Sequence, residues 1–414
     1  MTLKTRVPCP LSPQPPLERD VRVISLIGVV HGASHYYQLA FVTMLLIVRE
    51  KAGLSFTDVG ALGAIFYAVS GVCQTLAGFA VDRFGARPIL AGGLALAAIG
   101  LALTALADSF LTFAAISVVG AIGNCVFHPA DFAVLNSSVN HRRLGRAYSI
   151  HGLGGSLGWA AAPIIYFLDD LVGRTGAALI GAVPGLILAA LVLGHRRYLV
   201  DHRAEVRATA AADGAKAGLG LFLQASILLC FAYFALIAVN TVGIQQMAVP
   251  AWVEMFGMTE RYAALCLIVF MVGSAVGMFA GGFFADGVKR HDLVASGGLL
   301  VAAALTVPVA TLAVSPAVLL PLLALAGFAG GATNPSRDMI VRNATPPGAS
   351  GKVFGFVYSG LDVGSLVGPP LFGYLMDLHL PAVIFWIAIG LYVINAGMVL
   401  TIRQATAPRA IAAE

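Results

Sequence analysis

The chain has 414 residues, 59% of them hydrophobic and 11% charged, with a mean hydropathy of +0.88 and a formal net charge of +5. A soluble domain carries about 25% charged residues, so this composition excludes a soluble globular or nucleic-acid-binding protein and indicates a polytopic membrane protein. In such a chain the placement of positive charge among the loops matters more than its sum.

In chain order, residues 1–20 hold Pro8, Pro10, Pro13, Pro15 and Pro16 and lack the basic-then-apolar order of a cleavable signal. They are expected to form a flexible cytoplasmic tail. Apolar runs of about 20 residues, enough to cross a hydrocarbon core, then recur at 21–48, 55–81, 88–107, 110–138, 145–170 and 175–196. Six more follow at 219–250, 259–285, 292–313, 316–342, 351–376 and 381–403. The runs are continuous rather than alternating, which predicts helices and not barrel strands. The longest polar break, His195 to Gly218, separates the two sets. The expected organisation is an N-terminal six-helix bundle over 21–198, a cytoplasmic linker over 199–218, a C-terminal six-helix bundle over 219–403 and a cytoplasmic tail over 404–414.

Of the 25 Lys and Arg, 20 fall on the side that holds both termini, and Arg49, Lys51, Arg174 and Arg261 fall on the other. Basic loops stay in the cytoplasm, so both termini are expected there. Cys9, Cys73, Cys125, Cys230 and Cys266 form no metal-ligand pattern; all but Cys9 lie inside apolar segments, and they read as small core residues.

The two halves repeat each other. Gly78 to Arg87, with Asp82 and Arg83, is echoed by Gly281 to Arg290, where Asp286 stands 204 residues after Asp82. Phe127-His128-Pro129-Ala130-Asp131 lines up with Thr333-Asn334-Pro335-Ser336-Arg337 at an offset of 206, and Gly154, Gly158 and Pro163 fall on Gly360, Gly364 and Pro369 at the same offset. Six spans per half give both halves the same orientation, so an axis along the membrane normal should relate them. A crevice between them near the midplane is where a solute would bind.

Gly78, Asp82, Arg83, Gly85 and Arg87 match Gly-x-x-x-Asp-Arg-x-Gly-x-Arg, the loop signature after the second helix of the major facilitator superfamily. The chain resembles that family over nearly its whole length, and its Phe127-His128-Pro129 element, followed by Asp131, is similar to the fosmidomycin-resistance branch. The resemblance implies an all-α integral membrane fold of twelve transmembrane helices in two parallel-related six-helix bundles. It also implies a cytoplasmic gate at Gly78, Asp82, Arg83, Gly85, Arg87, Gly282, Asp286, Lys289 and Arg290, with Asp82 latching to the start of the eleventh helix. The second copy keeps Gly282, Asp286, Lys289 and Arg290 but lacks the Asp-Arg pair. In the family the solute pocket is lined from helices one, four, seven and ten, which implies Tyr36, Tyr37, Gln38, Asn124, Asn240, Gln245, Gln246 and Arg337 as substrate-binding candidates.

Ionisable groups inside spans are costly and therefore candidates for function. Asp131 and Asp362 are carboxylates of this kind, suited to carry a coupling proton. His31 and His35 share a face of the first helix, and His128 and His151 add two more apolar-segment histidines, which suit proton coupling as well. A zinc site is not expected, because no acidic or thiol ligand accompanies them at a metal spacing. Arg337 and Asp338 are adjacent on a helix, point in different directions and are not expected to pair; Arg337 is the repeat counterpart of Asp131 with opposite charge. A pairing of Asp131 with Arg337 across the crevice competes with pairing of Asp131 inside its own half, for instance with Arg142 or Arg143.

Gly154-Gly155-Ser156-Leu157-Gly158 fits the Gly-x-Ser-x-Gly hydrolase pattern but falls inside a span, where the required strand and sharp turn are absent. With no phosphate-binding loop and no His-Glu-x-x-His, the chain is not expected to be an enzyme. The expected function is secondary active transport by alternating access, as a proton-coupled exporter of small organic compounds in the bacterial inner membrane. A proton symporter importing a small organic anion and a non-transporting receptor or scaffold are the alternatives. The expected partners are a small-molecule substrate, protons and the lipid bilayer, with no cofactor, no nucleic acid and a functional monomer.

Overall fold

The structure, a computed structural model, describes residues 17–140, 143–196, 199, 222–345 and 350–406. The first half comprises α1 (Leu17–Val48), α2 (Phe56–Phe84), α3 (Ala86–Leu103), α4 (Phe110–Asn124), α5 (Phe127–Ser138), α6 (Leu144–Ala161) and α7 (Ile164–Gly194). The second comprises α8 (Ala225–Phe256), α9 (Glu260–Gly287), α10 (His291–Ala310), α11 (Pro316–Ala332), α12 (Asn334–Ala344), α13 (Ser350–Asp377) and α14 (Pro381–Thr406). Most of residues 1–20, most of the linker 199–218 and the tail from 407 lie outside the described residues.

These elements make twelve crossings, because two spans are broken and one long helix is two spans. Pro129 has no N–H for the carbonyl of Cys125, and the fourth span breaks at Cys125–Val126 between α4 and α5. Pro335 repeats this in the tenth span, which breaks at Thr333 between α11 and α12. The fifth span is α6 plus the start of α7; Gly173, at φ 70° and ψ 171°, ends it and lets the sixth begin. The seventh span differs from expectation. It runs through Pro250 to Phe256 and stops where Gly257 adopts φ 61° and donates its N–H to Val253 O. Pro is tolerated inside a membrane helix because neighbouring helices satisfy the freed backbone, so Pro250 is no terminator here.

Nine stretches are apolar and long enough to span a membrane among the described residues. Those falling short are α1, α6 and α13, the helices that carry His31, His35, His151 and Asp362. Polar side chains lower their hydropathy because these helices face protein and crevice more than lipid.

Helices in lipid gain little from the hydrophobic effect and associate by close packing of small residues. α1 and α6 do so: a Cβ added at Gly154 would lie 2.1 Å from Gly28 O, and one at Gly158 1.9 Å from Gly32 O. The repeat-related pair α8 and α13 is built alike, with Gly360, Gly364 and Gly368 seated on the carbonyls of Phe231, Ala235 and Val239.

The halves meet at the end remote from the termini. There Gly60 of α2 packs on Pro369–Pro370 of α13, Gly373 packs on the Phe56 carbonyl, and the Arg261 guanidinium lies 5.0 Å from the Phe167 ring centre. One apolar core runs across both halves at this end, through Tyr37, Leu62, Met247, Trp252, Leu267 and Phe372. Towards the termini the second half has a separate core around Ile227, Phe234, Leu299 and Ile402. Gly71 and Gly78, farther along α2, and Gly282 of α9 face open space. The crevice is thus shut at one end and open at the end holding the termini.

Candidate functional site

The Pro129 break tilts α5 so that His128 and Asp131 enter the first bundle beside α1 and α6. Asp131 is wholly buried. Its Oδ2 lies 3.1 Å from His151 Nε2 and 3.3 Å from His31 Nδ1, while Oδ1 has no hydrogen-bond partner among the described residues. His31 and His151 stack with centroids 3.5 Å apart. His31 Nε2 meets His35 Nε2 at 3.1 Å, and the Trp159 ring stands edge-on to His35 at 4.3 Å. His128 is exposed and 5.2 Å from His31 between ring centres. Folding therefore brings together Asp131, His31, His35, His128 and His151 into one cluster, with a chain of polar contacts from Asp131 through His31 to His35.

This changes the ground of the metal argument. The acid that sequence spacing did not supply is placed against two histidines by the fold, and ligand nitrogens of His31, His128 and His151 fall within 4.8 Å of one another. Ring geometry is what disfavours joint coordination. His31 and His151 planes are 19° apart and stacked, so their in-plane lone pairs run side by side instead of converging on one ion.

The polar candidates of the first half are tied into the bundle. Tyr36 donates to Gly181 O at 3.3 Å; Tyr37 donates to Ala182 O at 3.0 Å and accepts from Gly185 N at 2.6 Å. Gln38 donates to Asn124 Oδ1 at 2.9 Å and Asn124 donates to Ser70 Oγ at 2.8 Å. The Trp159 indole donates to Gln38 Oε1 at 3.3 Å. This relay joins α6, α1, α4 and α2 next to the histidines. Ser70 and Trp159 carry no sequence signal that marks them.

In the second half Asn240, Gln245 and Gln246 are buried on α8, and the Gln246 amide lies against Gly63 of the other half. Arg337 does pair with its neighbour, Nε to Asp338 Oδ1 at 3.0 Å. The expectation that they diverge fails because the long arginine stem bends back alongside the helix. Tyr358 donates to the same Asp338 oxygen at 3.0 Å, and the Arg337 guanidinium lies 4.7 Å from the Phe234 ring centre. Asp131 and Arg337 are each engaged in their own half, and Arg143 is bonded to Asp20 at 2.6 Å rather than to Asp131. Arg142 lies outside the described residues. Asp362 is exposed on α13 and makes no hydrogen bond or ion pair with the described residues.

Of the gate residues, Gly78 and Gly282 face open space, and Gly85, at φ 94°, ends α2 and starts α3. Arg83 lies 5.3 Å from the Phe84 ring centre. Arg87 is partly buried, with Nε unpartnered among the described residues, and Lys289 is exposed. Arg290 grips Asp292 through two bonds of 2.9 and 2.8 Å, and Arg403 reaches the same carboxylate at 3.2 Å. The side chains of Asp82 and Asp286 lie outside the described residues. Ser156, of the hydrolase-like pattern, donates to Gly152 O at 3.3 Å within α6.

Comparison with known proteins accords with this architecture. Residues 24–244 and 229–414 match the model of the Major Facilitator Superfamily. The chain is 29% identical over 171 residues to the uncharacterized MFS-type transporter YfnC of Bacillus subtilis (strain 168), a match covering 41% of this chain and 42% of that protein. It is 24% identical over 282 residues to the fosmidomycin resistance protein of Escherichia coli (strain K12), covering 66% and 67%. A bacterial homolog of the human lysosomal transporter Spinster, solved in an inward-facing and occupied conformation, shares the fold at a TM-score of 0.71 and 14% identity, covering 95% of this chain and 97% of that one. With twelve crossings in two six-helix bundles and a family match over nearly its whole length, the chain belongs to the major facilitator superfamily and is a multi-pass membrane protein.

Proposed function

We propose that the chain is a secondary active transporter working by alternating access, and that it exports small organic compounds in exchange for protons. In this reading both termini are cytoplasmic in a bacterial inner membrane, the crevice faces the cytoplasm, and one chain suffices. The observation that carries the coupling is Asp131, wholly buried with one carboxylate oxygen unpartnered inside a histidine cluster. An isolated charge there is costly, so binding and loss of a proton would change the energy of the first bundle. His31, His35 and His151 supply alternative positions for that proton, and exposed His128 supplies an entry point. Asp362 is the second coupling candidate.

Likeness to a fosmidomycin resistance protein supports export of a small organic compound. Arg337, a partly buried cation held between Asp338 and Phe234, favours import of an organic anion by proton symport as the second reading. The test uses purified protein in liposomes with an internal pH dye and a panel of organic acids, phosphonates and amphiphilic drugs. Protons leaving as solute enters mean antiport; protons entering with the solute mean symport and displace the first reading. Asp131→Asn and Asp362→Asn should together abolish the pH dependence of transport. Retention of that dependence in both single variants would sink the coupling assignment.

A further inference from the structure

We propose that Asp377 is a latch that holds the two halves together in the state seen here. Asp377 is the last residue of α13. Its carboxylate accepts from the backbone N–H groups of Phe56 and Thr57 at 2.7 Å each and from the Thr57 hydroxyl at 2.5 Å. Phe56 and Thr57 open α2, whose own cap Ser55 already satisfies Asp58 N. An acid from one half thus caps a helix of the other, where unpaired N–H groups and the positive helix end favour it.

A carboxylate in the last turn of its own helix sits at the negative end of that helix and is disfavoured unless something outside receives it. Asp377 stands there in α13. The helices run antiparallel, with Gly60 against Pro369 and Phe56 against Gly373. Asp377 thus ties the closed end of this seam across the two halves. The other seam is not built this way: Leu171 and Arg261 stand at the repeat-equivalent positions of Asp377 and Thr57, and Arg261 lies over Phe167 instead.

The inference rests on alternating access but needs no substrate, so its test is separate from that of transport. Fluorophores on non-natural residues at Lys51 and His379, exposed on opposite halves beside the latch, report the separation of this end in full-length protein in nanodiscs. Wild type should show one dominant short separation. Asp377→Ala should raise the ratio of separated to closed molecules roughly five-fold, from the usual value of a lost cap, and Asp377→Asn and Thr57→Val by less. An unchanged distribution in Asp377→Ala and Thr57→Val, or a shift of Asp377→Ala towards the closed form, would overturn the latch.

Discussion

Replacing Gly158 by alanine tests whether the α1–α6 contact sets the geometry of the histidine cluster. A Cβ there would stand 1.9 Å from Gly32 O, and the atoms struck are backbone, which has no rotamer to escape through. Ordinary contact needs at least about 3.4 Å, so the two helices must part by roughly 1.5 Å, against a usual overpacking cost of about 1–3 kcal/mol. The separation is large beside the contacts that straddle it. His31 on α1 stacks on His151 of α6 at 3.5 Å, and His151 holds Asp131 at 3.1 Å. Thermal melting of the purified protein in detergent should fall by several degrees, with loss of most transport. Gly152→Ala is the control: it lies on the same helix, meets nothing within 4 Å, and gains about 0.5–1 kcal/mol of helix preference. It should melt at or above wild type and keep its transport. If both variants melt alike, close approach of α1 and α6 does not carry the stability assigned to it.

Gly173→Ala places a side chain at φ 70° and ψ 171°, a region open in practice only to glycine, and should cost about 1–3 kcal/mol; a melting temperature equal to wild type would refute the backbone argument. Arg174 donates to the carbonyls of Thr104, at 2.7 Å, and of Ala107 at the end of the third span. Arg174→Ala should lose about 2 kcal/mol, and Arg174→Lys should recover part of it, both read by urea or thermal unfolding in detergent.

Spans and repeats were legible because lipid imposes long apolar runs, and the few residues that break a helix or close a packing ridge recur at the same offset in both halves. Pro129 and Pro335 mark the two broken spans in the bare sequence, as Gly154 and Gly360 mark the packing ridges. What the sequence hid were contacts made by distance rather than by spacing. His31, Asp131 and His151 are separated by many residues, so no local pattern reveals that they meet. The pairing of Arg337 with Asp338 was misjudged because residue direction along a helix was applied to a side chain long enough to turn back on its neighbour. Asp377 looked like an ordinary helix-end acid; only the approach of α2 makes it a cap.

On the proposed function, the duplicated frame and the unduplicated chemistry together give one chain both a hinge and a coupling site. Each half has a proline-broken span, and the residue two positions after the proline is Asp131 in one and Arg337 in the other. Had both been carboxylates, each bundle would face the same cost for burying charge, and protonation would bias neither over the other. As built, the cation is paired with Asp338, whereas the partners of Asp131 among the described residues are histidines, whose charge depends on the proton itself. One bundle is therefore electrostatically settled and the other conditional. In that reading a proton arriving at the conditional bundle would change its contacts with water and with the settled one, and the glycine ridges that both halves share would give the helices a stiff body in which a local change becomes a movement of the whole half.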